Sequence, residues 1–348
     1  MLLLYEAMNP DIRLSQLNSW LASLASKWSL TLESLAPASS DASFRRYFRV
    51  TGTKNAAHQS FIVMDAPPAT EDTRPFIAIS ELFDQAKLNV PLVLEKDIDQ
   101  GFLLLSDLGN ETYLSALNPS SAPKLYEDAN SALIQLQLAS KPGILPEYSK
   151  ELLSRELKLF SEWYLNKHLN LELNSKQSSD LDRIFELILE NNLSQAQVYV
   201  HRDFHSRNLM VTGNNNPGIL DFQDAVYGPI TYDLASLYRD AYIEWEEPEQ
   251  MDWLIRYWDK ARKAGLPVPL EFGDFYRDFE WMGLQRHLKV LGIFARLYHR
   301  DGKDGYLKDI PLVFKYTRKV AQRYIALKPL LRLLDTIEGI DRPDGLTF

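Results

Sequence analysis

Between residues 198 and 225 three short apolar runs stand close together: Val198-Tyr199-Val200, Leu209-Met210-Val211 and Gly218-Ile219-Leu220. Runs of three are too short for a helix and, with their β-branched and aromatic content, read as strands. The first leads into His201-Arg202-Asp203-Phe204-His205-Ser206-Arg207-Asn208, and the third into Asp221-Phe222-Gln223-Asp224-Ala225. Two carboxylates and an amide thus sit at strand ends, where polar side chains converge on one point. Whatever surrounds this stretch, the chain must build a small hairpin-rich centre with chemistry at its tips.

With 348 residues the chain buries one large or two moderate cores, and two lobes are expected. A net charge of −9 supplies no basic field, which argues against nucleic-acid and anionic-membrane partners and for a small-molecule substrate. The absence of cysteine excludes disulfides and thiolate metal sites. The opening Met1-Leu2-Leu3-Leu4-Tyr5-Glu6 has no basic leader, and no run approaches the roughly 18 apolar residues of a membrane span. A cytoplasmic monomer is the expectation.

Leu14, Leu17, Leu21, Leu24 and Trp28 recur at helical steps after Asp11, a candidate cap. From Ala42 the period changes to a hairpin with a turn around Thr51-Gly52-Thr53-Lys54-Asn55, stopped by Pro67-Pro68. Residues 73–88 read as an amphipathic helix, and 91–94 and 101–105 as strands. Beyond Ser106 the period becomes helical, over 125–138, 152–165, 181–189, 232–242, 248–265, 271–299 and 312–334, with polar residues 166–180 a loop or insertion. The expected fold class is α+β: residues 1–106 form a small antiparallel sheet with one main helix, and residues 107–348 a larger, mostly helical lobe.

Asp203, Asn208 and Asp221 offer oxygen donors only, the set preferred by a hard octahedral cation such as magnesium, which commonly accompanies phosphates. The offsets match phosphoryl-transfer logic, in which Asp203 accepts the attacking hydroxyl's proton while Asn208 and Asp221 hold the metal. No Gly-x-x-x-x-Gly-Lys-Ser/Thr loop occurs, so a P-loop nucleotide site is excluded. Either Asp alone reads equally well as a turn cap; the constellation does not. A metal hydrolase built on His201, Asp203 and His205 would need further ligands, and His287 and His299 lie in helical stretches instead.

The strings His201-x-Asp203-x-His205-x-x-Asn208, Asp221-Phe222-Gln223-Asp224-Ala225 and Asp233-Leu234-Ala235 resemble the aminoglycoside phosphotransferase and choline kinase-like family over nearly the whole chain. More narrowly, residues 42–49, 64–68, 201–208, 221–225 and Leu284-Gln285-Arg286-His287-Leu288-Lys289 look like the anomeric N-acetylmuramate/N-acetylglucosamine kinases of cell-wall recycling. The resemblance implies a protein-kinase-like bilobal fold with ATP in the cleft between lobes, Asp203 as base, Asn208 and Asp221 on Mg2+, and a hinge over the Leu105 to Leu108 connection, Ser106 and Leu108 included, reading adenine through its backbone. Asp233 would brace the catalytic loop or cap the helix after it. The product would be a sugar 1-phosphate.

One departure matters. The family's third-strand lysine aligns with Met64, so the phosphate charge must be met elsewhere, with Arg45, Arg46 or Arg49 as candidates and Glu81 to orient one of them. For the sugar, Asp224, Asp240, Tyr242 and Trp245 are candidate hydrogen-bonding and stacking residues, and Arg239, Arg286 or Arg296 could meet the lactyl carboxylate of N-acetylmuramate. The acidic composition fits a cationic acceptor, an aminoglycoside or amino alcohol, as the runner-up. A nucleotide-binding regulatory pseudokinase is the reading left open by Met64.

Overall fold

The computed structural model of the chain describes residues 11–40, 44–54 and 57–340. Ala42, where the first hairpin was expected to start, and Asn55 in its turn lie outside the described residues. The chain divides into two compact units, Met1–Asn110 with Val211–Gln223, and Glu111–Met210 with Asp224–Phe348.

In the smaller unit, Asp11 accepts a hydrogen bond from Leu14 N at 2.9 Å and starts α1 (Ile12–Trp28), satisfying an amide that the first helical turn leaves without a partner. Then follow β1 (Thr31–Ser40), β2 (Arg46–Lys54), β3 (Ala57–Asp65), α2 (Thr73–Gln85), β4 (Val93–Asp97) and β5 (Phe102–Ser106). They form one antiparallel sheet of order β1-β2-β3-β5-β4. Alternation along the strands sets Phe48, Val50, Phe61, Val63, Phe102 and Leu104 against Leu17 and Leu21 of α1. Arg49, Ile62, Met64 and Leu103 therefore belong to the opposite face, with Arg49 opposite Ile62 and Met64 opposite Leu103.

Strand β1 was not expected. It is an edge strand carrying Pro37 and broken by register shifts, so its sequence shows neither alternation nor an apolar run. The returning segment 211–223 joins this unit through Ile219 N, which donates to Asn89 O at 2.7 Å, and through Phe222, whose ring lies 4.8 Å from Phe76 and 5.8 Å from Phe83 of α2.

The larger unit opens with α3 (Tyr113–Ala116), α4 (Ala122–Leu138) and α5 (Lys150–Leu159), which continues as a π-helical turn over Phe160–His168. Helix α6 (Ser175–Leu193) begins inside the segment expected to be a loop. Asn174 and Gln177 exchange side-chain to backbone hydrogen bonds at 2.9 and 3.0 Å to start it; its first turns are polar because they face water, and so lack the apolar spacing of a buried helix. After β6 (Gln197–Val200), β7 (Leu209–Met210), β8 (Gly218–Ile219) of the smaller unit, and β9 (Val226–Pro229) come α7 (Tyr232–Tyr238), α8 (Glu247–Lys263), α9 (Phe272–Asp301), a 3-10 turn over Asp304–Asp309, α10 (Ile310–Arg323) and α11 (Lys328–Glu338). The last two replace the single helix expected over 312–334. The break falls at Tyr324, and Pro329 occupies the first turn of α11. No described helix is long and apolar enough to cross a membrane.

Helix α9 is the spine of this unit. Every residue from 279 to 292 is buried, including Glu280, Gln285, Arg286, His287 and Lys289. A helix enclosed on all sides must find partners for such polar groups, since each costs several kcal/mol, roughly, if stranded. The spine also approaches closely. A Cβ on Gly292 would stand 2.3 Å from the Leu159 carbonyl carbon and oxygen, backbone atoms that cannot turn aside. Gly292→Ala is therefore expected to destabilise the protein by about 1–3 kcal/mol, whereas Gly273→Ala, with nothing within 4 Å, is neutral or mildly stabilising. Thermal melts of the two variants against the parent check this.

Candidate active site

Strands β6 and β9 pair antiparallel, Gln197 opposite Pro229 and Val200 opposite Val226, and β6 delivers the chain into loop 201–208. Asp233, buried in the first turn of α7, accepts from His201 N at 2.7 Å and from Arg202 N at 3.0 Å. Burial pushes this carboxyl up, to about 7, against the two amides that hold it down. Arg202 has a positive φ of 77°, a conformation costing a non-glycine residue roughly 1–3 kcal/mol, so the loop's shape depends on such fixings. Asp203 N donates to His201 Nδ1 at 3.2 Å, and the Asp203 carbonyl accepts from His205 N and Asn208 Nδ2, both at 3.0 Å.

A buried ion network lies beside the loop. Glu156 of α5 accepts from Arg202 Nη2 at 2.6 Å, faces Lys289 Nζ of α9 at 3.0 Å, and accepts from the Tyr148 hydroxyl. Lys289 also donates to the Tyr232 hydroxyl at 3.1 Å. Burial would raise the Asp203 carboxyl, but Lys289, His205, Arg286 and Arg202 together outweigh it and hold the group below the usual carboxylate range. The result is an ionised carboxylate in an enclosed position, able to accept a proton. Sequence reasoning missed Glu156 altogether, and Lys289 entered only within a resemblance string; the available signal was a lysine amid the apolar residues of a helix.

Around His205 the structure gathers three of the expected substrate residues. Asp240 accepts from Ser206 N at 2.9 Å and from Tyr242 N at 3.1 Å. The Tyr242 ring meets the His205 ring edge-on at 5.4 Å. Arg286 lies within electrostatic reach of Asp203, His205 and Tyr242. Burial pushes the His205 imidazole down from its ordinary value, with Asp240 and Asp203 pulling the other way. His205 Nδ1, Ser206 Oγ and Arg286 Nη1 are buried without a hydrogen-bond partner, a grouping that calls for an explanation.

The other expected residues have different recorded partners. Trp245 donates to the Tyr126 hydroxyl at 2.8 Å and packs on Trp253 at 5.3 Å, an aromatic core. Arg239 is ion-paired to Glu280 at 2.9 Å. Arg296 is half-buried on α9. The Asp224 side chain is exposed, and its carbonyl accepts from Arg202 Nη1 at 3.4 Å.

In the smaller unit, Asp221 has a positive φ of 61° and accepts from Gln223 Nε2 at 2.9 Å. Of the three arginine candidates, Arg46 shares the fully buried Asp65 with Arg13, and Arg49 forms a two-armed pair with Asp107 at 2.6 and 3.1 Å. Arg45 is ion-paired to Glu71 at 3.7 Å. Glu81 is exposed on α2, and the recorded ion pairs of the three arginines go to other acids. Ser106 exchanges backbone hydrogen bonds into β4's approach, its amide donating to Leu92 O at 3.0 Å and its hydroxyl accepting from Leu92 N at 2.8 Å. Among the described residues the Leu108 amide has no acceptor.

The pattern of the phosphotransferase enzyme family matches residues 34–272. The chain is 48% identical to an N-acetylmuramate/N-acetylglucosamine kinase of Pseudomonas aeruginosa over 95% of its own length and 98% of that protein's. It is 51% identical to one of Neisseria meningitidis over 89% and 93%. Its fold is similar to that of choline kinase from Cryptosporidium parvum, with a TM-score of 0.58 at 14% identity over 86% of this chain and 92% of that one. It is also similar to aminoglycoside phosphotransferase APH(2'')-Ib with ADP, with a TM-score of 0.55 at 18% identity over 86% and 97%. These bear out the protein-kinase-like α+β architecture expected from the sequence.

Two outcomes test the packing of the site. Glu156→Gln leaves Lys289 and Arg202 without their shared anion and should cost about 3–5 kcal/mol in urea unfolding. His287, stacked on Tyr316 with its Nε2 3.1 Å from Arg239 O, is held by burial at a pKa of about 3. The unfolded chain therefore binds a proton near pH 6.5 that the folded chain refuses. Stability should rise with pH between 3 and 6.5, by up to about 1.4 kcal/mol per unit from this group, and His287→Gln should flatten that slope in unfolding curves taken across the range.

Proposed function

This chain belongs to the phosphotransferase enzyme family and is a small-molecule kinase, and we propose that it transfers the γ-phosphoryl group of ATP, with Mg2+, to the anomeric hydroxyl of N-acetylmuramate and N-acetylglucosamine. The observation that carries the chemistry is Asp203, an ionised carboxylate among Lys289, Arg286 and Arg202 on a loop tied to Asp233. The sugar oxygen attacks the γ-phosphorus, its proton passes to Asp203, and the bond to the bridging oxygen breaks to release ADP. The near full-length likeness to kinases named for these two sugars supports the choice of acceptor. The 1-phosphate product suits a role in cell-wall sugar recycling.

Asn208 and Asp221 are the proposed magnesium ligands, each assigned within its own unit. Asn208 commits its amide nitrogen to the Asp203 carbonyl, which orients its oxygen as the coordinating atom, and an oxygen-only donor set fits a hard cation. When bound, magnesium would neutralise phosphate charge. In the smaller unit the proposal gives the nucleotide base to the backbone of Ser106 and Leu108, and phosphate charge to Arg45, Arg46 or Arg49, each of which the structure pairs with an acid. In the larger unit Asp240, Tyr242 and Arg286 are the favoured sugar-binding candidates, joined by His205 and Ser206.

Asp203→Asn should retain nucleotide affinity and lose turnover about a hundred- to ten-thousand-fold. Nucleotide titration and ATP consumption measure the two effects, while phosphorus NMR of the parent's product reads the position phosphorylated. Signal at a hydroxyl other than the anomeric one, or turnover only with an amino alcohol or aminoglycoside, would replace the acceptor; near-normal turnover by the variant would remove Asp203 as base.

A further inference from the structure

Arg207 was not singled out by any sequence argument, and its setting is unlike that of the other arginines beside the site. Its guanidinium lies 3.7 Å from the Tyr242 ring centroid and 5.7 Å from that of Tyr306. Among the described residues it forms no ion pair and donates no hydrogen bond. Arg202 and Arg239 are by contrast committed to Glu156 and Glu280. A stacked guanidinium presents its flat face to the aromatic ring and keeps its in-plane N–H fork available. Stacking thus orients a cation without neutralising it.

The shelf is itself held in place. The Tyr242 ring packs on Phe294 of α9, 6.2 Å between centroids, and the Tyr306 ring on the same Phe294 at 5.3 Å. Tyr242 N is fixed by Asp240. The His205 ring meets Tyr242 edge-on at 5.4 Å, and its Nδ1 is buried without a hydrogen-bond partner, as is Oγ of the adjoining Ser206. Arg207 acts electrostatically on His205, Tyr242 and Asp309. Arg286 also acts on His205 and Tyr242, and it is among the charges that hold the Asp203 carboxyl down. Arg207 follows Asp203 on the same loop, between Ser206 and Asn208.

We infer that Arg207, stacked on Tyr242 and Tyr306, is the receptor for the lactyl carboxylate of N-acetylmuramate, and so determines preference for the anionic over the neutral sugar. The inference rests on the proposed reading of this site as an amino-sugar kinase. The chemistry of the substrate supports the position. The carboxylate hangs from C3 through an ether while C1 carries the reacting oxygen, so its receptor belongs beside the base rather than at it. A carboxylate matches the guanidinium fork with two parallel hydrogen bonds. On a chain of net charge −9, an anionic acceptor gains no help from the general field and needs a local cation. Asp309 and Asp240 lie nearby but form no ion pair with Arg207, so that cation stays available.

The experiment compares the parent with Arg207→Met and Arg207→Lys, using N-acetylmuramate, its methyl ester and N-acetylglucosamine. The quantity read is the ratio of kcat/KM for N-acetylmuramate to that for each neutral sugar. It should fall about 10- to 100-fold in Arg207→Met, the range for a charge-assisted hydrogen-bonded pair, and less in Arg207→Lys, which keeps charge but loses the fork. Esterification should cost the parent a similar factor and cost Arg207→Met little. An unchanged ratio overturns the inference, as does equal loss for all three substrates. A parent that turns over only the neutral sugar overturns the inference while leaving that half of the proposed function standing; a parent inactive on all three overturns both.

Discussion

One carboxylate, Glu156, joins the parts of the larger unit on which chemistry depends. It reaches Arg202 in the loop, Lys289 on the spine helix and the Tyr148 hydroxyl, all away from bulk water. A buried ion group of this kind adds little stability over an apolar replacement, because desolvation offsets most of the attraction. What it supplies here is position. Two cations are brought near Asp203 without being neutralised by it, and the carboxylate intended for proton transfer stays ionised. The loop's own geometry, with Arg202 at positive φ, is maintained from below by Glu156 and from behind by Asp233.

The elements that the sequence made legible are those where a single period dominates. The first helix with its Asp11 cap, the central strands of the sheet and the long helix over 272–301 all follow from spacing alone. Asp233 was expected to brace the loop, and it accepts two of the loop's amides. Strand β1 and the start of α6 escaped because edge and solvent-facing segments carry little apolar signal, whatever their backbone does. Glu156 escaped for another reason. A carboxylate in the helical run Lys150–Leu159 is ordinary until tertiary structure removes water from it, and no sequence spacing connects it with residues 46 and 133 positions further on.

The same distinction runs through the arginines. In the sequence Arg45, Arg46 and Arg49 are equivalent, as are Arg239, Arg286 and Arg296. The structure separates them by what each faces: Arg46 and Arg49 meet carboxylates and Arg239 meets Glu280, while Arg239, Arg286 and Arg296 each keep one buried nitrogen without a hydrogen-bond partner. Positive charge alone is thus a poor guide to anion binding. An arginine held by an aromatic ring or by nothing keeps its charge for a ligand; one held by an acid does not.

The division of the smaller unit between Met1–Asn110 and Val211–Gln223 bears on how the protein is made. During synthesis the sheet and α2 emerge early, yet Phe222, which covers Phe76 and Phe83, follows more than a hundred residues later. Until then two phenyl rings of α2 lack their partner. The nascent smaller unit must wait, with an apolar face exposed, for half of the larger one to be translated, and a fragment ending near residue 110 would be sticky rather than autonomous. The place where the metal-ligand candidate Asp221 sits is thereby also the last stitch of the unit that carries it.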